Sequence, residues 1–298
     1  MNPAGTVALL AALVAAGCGS SGGTTLESLW KQPGENVGLV AGTSDYATGS
    51  VRVSFLVIGH DGRPVNRPQA RLWLARSRKD KPFASATASL ESIGIPGHAN
   101  DSGDVSHLYV GRFRLAKPGR YWLLAQPIGG TPIQALGTLN VKARSHSPAI
   151  GARAYPSRTP TLASTGGRTA LLTTRIPPDR ALVRYSIADS LAAHLPFLVV
   201  FATPKFCESR TCGPVVDVVD SVRTRFAGQG VRFIHVEIYR ANNPQNGVNR
   251  WVREWRLPSE PWTFAVGRDG RIKAKFEGSV SSAELAAAVR ILLKRQRA

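Results

Sequence analysis

An unbroken apolar run at residues 195–202, Leu-Pro-Phe-Leu-Val-Val-Phe-Ala, constrains this chain more than any other feature. A strand with one wet face alternates apolar and polar residues. One with no polar position is covered on both faces, as in the middle of a sheet packed by helices. The surrounding pattern agrees. Residues 186–194 read as a short helix with Ser186 as N-cap. After the run, Val215, Val216, Val218, Val219, Val222 and Phe226 repeat at helical spacing. Residues 231–239 read as a second strand, and residues 248–255 as a short helix with Val248, Trp251, Val252 and Trp255 on one face. Residues 262–266 and 271–276 form a hairpin around Asp269-Gly270. Ser281-Ser282-Ala283-Glu284 is a capping box opening a last amphipathic helix through Leu293. Helices alternating with strands mark the C-terminal part as α/β.

The preceding stretch has a different period. Val51, Val53, Phe55 and Val57 alternate with polar or small residues, as do Ala70, Leu72 and Leu74, and later Tyr109, Gly111, Phe113 and Leu115. His60-Asp61-Gly62 makes a turn, and residues 133–141 close the module. Lys117-Pro118-Gly119 stands just ahead of Tyr121-Trp122-Leu123-Leu124. This resembles the tyrosine corner of immunoglobulin-like sandwiches, so an all-β immunoglobulin-like sandwich of roughly seven strands is expected over 38–143. Residues 144–169, with Pro148, Pro156, Pro160 and many Ser, Thr and Gly, read as a linker to a domain over 170–298.

The first residues read as an address. Residues 5–17 are apolar but too short to span a bilayer, and have the length of a signal-peptide core. Leu13-Val14-Ala15-Ala16-Gly17-Cys18 resembles a bacterial lipobox, with Ala15 where leucine is usual. That resemblance implies a signal peptide over 1–17, a diacylglyceryl group on Cys18, a tether over 18–37 and a place on the outer face of the bacterial cell membrane. The chain has three cysteines. With Cys18 lipidated, Cys207 and Cys212 remain as a pair in an oxidising compartment.

The formal net charge is +19, with 38 Lys plus Arg against 19 Asp plus Glu. The basic residues are spread along the chain, without a recognised nucleic-acid module, so the surface favours anionic envelope polymers or phospholipid over DNA.

The C-terminal order is strand, cysteine loop, helix, strand, helix, Pro-containing turn, hairpin, helix. Over roughly 186–293 it resembles the thioredoxin-like superfamily. Three features carry the resemblance. Phe201-Ala202-Thr203-Pro204-Lys205-Phe206-Cys207 places a cysteine just beyond the central strand, and Cys212-Gly213-Pro214 repeats three letters of the thioredoxin active-site tetrapeptide. Ser259-Glu260-Pro261-Trp262 stands where the family has its cis-proline. The resemblance implies an α/β thioredoxin-like fold and thiol–disulfide exchange with envelope protein thiols and disulfides. Cys207 attacks, Cys212 resolves, and Pro261 in cis presents backbone to the substrate chain. A cysteine at a helix N-terminus has its thiolate stabilised, and Pro214 suits the first helical position, close to Cys212.

The spacing Cys207-x4-Cys212 departs from the family's pair. Five residues of helix turn through about 500° and rise about 7.5 Å, so both cysteines cannot bond from one regular helix. The family's buried carboxylate on the central strand corresponds to Val200. Three other readings stand beside exchange. One is a structural disulfide in a binding or scaffold lipoprotein. Another is a peroxidase resembling Q-type peroxiredoxins, although Pro204 and not Thr203 holds the position three before Cys207. The last is a copper chaperone of the Sco type, since thiolates suit Cu(I); His235 reads there as a packed or surface histidine and not a ligand. His98, Asn100, Asp101, Asp104 and His107 read as a polar loop, Trp251 and Trp255 as core, and Trp262 as either groove or core. No P-loop, dinucleotide, zinc or nucleophile-elbow motif occurs, so no cofactor is expected, and the chain is expected to act as a monomer.

Overall fold

Val51, Val53, Phe55 and Val57 are all buried on β2 (Gly49–Gly59), as their alternation requires. The computed structural model describes residues 24–93, 105–206 and 215–294. β2 lies between β1 (Val37–Ala41) and β5 (His107–Leu115). The sheet continues through β4 (Ala84–Ser92), β3 (Gln69–Ala75), β6 (Gly119–Pro127) and β7 (Ala135–Val141), with every neighbouring pair antiparallel. Its order separates into β1-β2-β5-β4 and β3-β6-β7, the grouping of the two faces of an immunoglobulin sandwich.

The expected pair of sheets is nevertheless one sheet. β3 and β4 pair directly from Gln69↔Ser89 to Leu74↔Ala84, which joins the two groups. The two edges then come together: Glu35 bridges to Ile133, and Leu39 packs over Gly137, where a Cβ would lie 2.8 Å from Leu39 Cδ2. This nearly closed sheet wraps one core that includes Phe55, Leu72, Tyr109, Phe113 and Leu123. Tyr121 makes the corner contact, its hydroxyl donating to Lys117 O four residues upstream. Hydrophobic pattern does not announce β4, because Ala84, Ala86 and Ala88 are small and Ser and Thr stand between them. Within the stretch expected as a tether, Leu26–Trp30 forms helix α1, capped by Thr25, with Leu26 buried against Ala75 and Leu124.

The second sheet has the order β11-β10-β8-β9. β8 (Phe197–Phe201) runs parallel to β9 (Arg232–Val236) and antiparallel to β10 (Trp262–Val266), which forms a hairpin with β11 (Ile272–Glu277). All five residues of β8 are buried, and its two faces serve different cores. Leu198 and Val200 join Val216, Val219, Leu285 and Val289, on α3 (Val215–Arg225) and α5 (Ser282–Leu293). Phe197, Val199 and Phe201 join Ile187 on α2 (Ile187–Ala192), Val252 on α4 (Arg250–Glu254), and Trp255 and Trp262. The run at 195–202 is apolar because both faces are spent on packing. Ser186 caps α2, and the capping box of Ser281 and Glu284 opens α5.

Residues 144–169 are not a free connection. Gly151 N donates to Ile272 O (2.8 Å), Ile272 N to Ala152 O (2.9 Å) and Ala154 N to Gly270 O (2.8 Å), so this segment borders β11. The two sheets meet through polar groups. Arg52 on β2 forks onto Glu284 of α5 at 2.7 and 2.8 Å. Glu277 accepts from Ser44 N (2.8 Å), Ser44 Oγ (2.7 Å) and Asp45 N (2.6 Å). Ser281 Oγ donates to Glu91, and Lys275 Nζ to Ser145 and Ser147.

Candidate functional site

β8 ends at Phe201, and the chain continues through Ala202 and Thr203 into a turn of 3-10 helix over Pro204–Phe206. Cys207 and Cys212 lie outside the described residues, as does Cys18, and α3 resumes at Val215. Pairing of β10 with β8 sets Trp262 opposite Phe201. Pro261, one residue before Trp262, therefore stands beside the start of the loop that leads to Cys207. The Glu260–Pro261 bond is cis. Trp262 itself is core: it is 1% exposed and stacks on Phe264, with ring centres 5.7 Å apart. Its Nε1 donates to Ser259 Oγ (3.2 Å), which in turn donates to Glu277 Oε1 (2.6 Å), fixing the turn before Pro261.

Val200 is fully buried, so β8 carries no carboxylate. The neighbouring strand supplies polar groups: His235, which the sequence reads as a packed or surface histidine, and Glu237, which the sequence does not single out. His235 on β9 is buried, and its Nε2 donates to Ala202 O (3.0 Å), beneath the loop. Glu237, two residues on, is also buried, and its Oε1 accepts from Thr174 N (2.5 Å) and Thr174 Oγ1 (2.7 Å). Thr174 Oγ1 accepts from Lys205 N (3.2 Å), so a chain of hydrogen bonds runs from Glu237 to two residues before Cys207. The signal available in the sequence was the spacing of His235 and Glu237, which puts both on one face of an extended chain. The Thr203 hydroxyl, 2% exposed, has no partner among the described residues.

Burial holds the His235 imidazole below its ordinary range, against the opposing pulls of Glu237 and the Ala202 carbonyl; Arg175 reinforces the depression and Asp179 opposes it. The native state therefore excludes a proton that the unfolded chain takes up below about pH 6.5. Stability from this residue is full above that pH and is lost as pH falls toward the depressed native value. Urea midpoints measured between about pH 7 and pH 5 should fall more steeply for the wild type than for His235→Leu. Equal slopes would show that His235 titrates as it does in the unfolded chain.

Other singled-out residues separate in space. Trp255 is in the core, with ring centres 5.1 Å from Phe201 and 4.8 Å from Phe264. Trp251, half-buried, packs against the same core; it also lines a cavity and donates Nε1 to Arg158 O (3.1 Å). His98, Asn100, Asp101 and Asp104 fall outside the described residues, while His107 begins β5 beside Ser106 Oγ (2.8 Å). Among the described residues no three His, Cys, Asp or Glu side chains gather as a metal site, and no helix is long and apolar enough to cross a membrane.

No protein-family model matches this chain, and no curated protein matches it. Among solved structures, a thioredoxin-family thiol:disulfide interchange protein from Chlorobium tepidum TLS is similar over 48% of this chain and 100% of its own, at 15% identity and a TM-score of 0.31. The Lin-41 filamin domain is similar over 38% of this chain and 100% of its own, at 12% identity and a TM-score of 0.22. A CARDB domain from Pyrococcus furiosus is similar over 36% of this chain and 94% of its own, at 11% identity and a TM-score of 0.19. At TM-scores this low, none of these likenesses carries a functional argument.

Proposed function

We propose that this chain is a lipid-anchored thiol–disulfide exchange protein on the outer face of a bacterial cell membrane. Its C-terminal thioredoxin-like part, over 170–298, carries the chemistry, and its N-terminal immunoglobulin-like part, over 38–143, serves as spacer or docking module. One observation carries the reading: the β8–β10 register brings Pro261 beside the loop that runs from the central strand to Cys207. A substrate strand lying along Pro261 would then meet the attacking sulfur. The Cys207 thiolate attacks one sulfur of a substrate disulfide and releases the other as a thiolate. The Cys212 thiolate next attacks Cys207 in the mixed disulfide, leaving a Cys207–Cys212 disulfide and a reduced substrate. The reverse sequence oxidises a substrate dithiol. His235, bonded to Ala202 O, and Glu237, linked to Lys205 N through Thr174, act as positioning residues.

Cys212→Ser should accumulate mixed disulfides with envelope proteins, visible as reductant-sensitive adducts on non-reducing gels, and Cys207→Ser should not. The Cys207–Cys212 pair, equilibrated in thiol buffers and read by mass after alkylation, should have a reduction potential above about −250 mV. A value below about −300 mV, with no adduct from either variant, would replace exchange by a structural disulfide in a scaffold lipoprotein.

A further inference from the structure

The chain that leaves β9 and the residues of α4 together line a cavity of about 420 Å³, within the usual size range of small-molecule sites. Its floor includes Glu237, which is 6% exposed. One carboxylate oxygen is satisfied by Thr174, but Oε2 is buried with no hydrogen-bond partner among the described residues. A buried polar oxygen without a partner costs free energy. Arg240, Arg250 and Arg253 stand at the mouth, all exposed. None makes an ion pair among the described residues. Arg240 and Arg253 are held in place by the carbonyls of Asn246 and Val248, and Arg250 lies over the Trp251 ring, 5.2 Å from its centre. Between mouth and floor the wall is apolar, with Leu172 buried and Trp251 offering a flat ring.

The lining thus combines exposed guanidinium groups with an apolar interior. At the rim, Ala241 and Asn242 hold consecutive left-handed conformations, at φ 52° and 53°. Side chains there cost energy that surrounding structure must offset, and such residues cluster at ligand clamps. The Asn242 side chain ties this rim to Ala170 O (2.7 Å).

We infer that this cavity binds a small organic anion with a flat apolar body. Its acidic group meets Arg250 and Arg253, and its rings lie against Trp251 and Leu172. The inference does not depend on the cysteines.

The test uses the full chain in detergent and two dyes of similar shape. Anilinonaphthalene sulfonate has an anion, rings and an N–H donor; N-phenylnaphthylamine lacks only the anion. Dye fluorescence, and energy transfer to it from tryptophan, should report at least about tenfold tighter binding of the sulfonate. Arg250→Gln with Arg253→Gln should remove that preference and leave binding of the neutral dye and the unfolding midpoint unchanged. Leu172→Trp should abolish binding of both dyes by filling the cavity. Equal affinity for the two dyes in the wild type would overturn the inference, as would a sulfonate preference that survives the double Arg substitution.

Discussion

Replacing Arg52 by Met is expected to lower the stability of the protein by about 3 kcal/mol or more, because it strands a carboxylate in a dry interface. Arg52 and Glu284 have side chains only 8% and 6% exposed. Their bidentate contact at 2.7 and 2.8 Å is supported by Arg52 donations to Ser279 O (2.9 Å) and Ser54 Oγ (3.1 Å). Without Arg52, Glu284 keeps Arg112 at 3.2 Å, but that guanidinium is 56% exposed and screened by water. Desolvation of the carboxylate then outweighs what remains of the attraction. The opposite expectation holds for the pair replaced together: Arg52→Met with Glu284→Leu should recover most of the loss, since two apolar residues of similar volume need no solvation. Urea unfolding of the three variants checks this through the midpoint, with slope unchanged. A single-variant loss below about 1 kcal/mol would mean that water reaches Glu284 and the pair behaves as a surface bridge.

Trp255→Ala is expected to cost about 3–5 kcal/mol, the range for truncating a buried aromatic that its neighbours cannot replace. Trp255 is fully buried and meets Phe201, Phe264 and Tyr155 at ring-centre distances of 5.1, 4.8 and 6.1 Å. Its indole N–H donates to Ser157 Oγ (3.1 Å), which donates in turn to Glu254 Oε2 (2.6 Å). Tyr155 and Ser157 belong to the segment that reads as a linker, so one side chain connects the central strand to that segment. The substitution should also raise the rate of proteolytic cleavage within 144–169, measured under conditions where the variant is still folded. Cleavage at the wild-type rate would place the segment's anchorage elsewhere, at the bonds of Gly151, Ala152 and Ala154 with Ile272 and Gly270.

The site was legible in part. Pro261 is singled out only through the family resemblance, and it stands in a cis bond directly before the apolar strand β10. The sequence reads His235 as packed or surface and is silent on Glu237, because single polar residues on a short strand do not reveal what lies above them. Only the β8–β9 register, with Val200 opposite His235, brings them under the loop at Ala202. Trp251 and Trp255 share a helical face and pack against one core, yet Trp255 is fully buried in it while Trp251 is half-buried and also lines a cavity. Their difference comes from Tyr155 and Phe201, which are distant in sequence.

By itself the sequence determined the order and kind of most elements. The apolar run became β8, Ser186 and Ser281 became caps, and Tyr121 reached back to Lys117, because each depends on neighbours within a few residues. Tertiary structure decided the rest. It joined β3 to β4 so that two expected sheets became one nearly closed sheet, docked Leu26–Trp30 and residues 144–169, and set Arg52 against Glu284. Those contacts unite residues far apart in the chain. Periodicity records which face of an element is dry, and is silent on which distant surface makes it so.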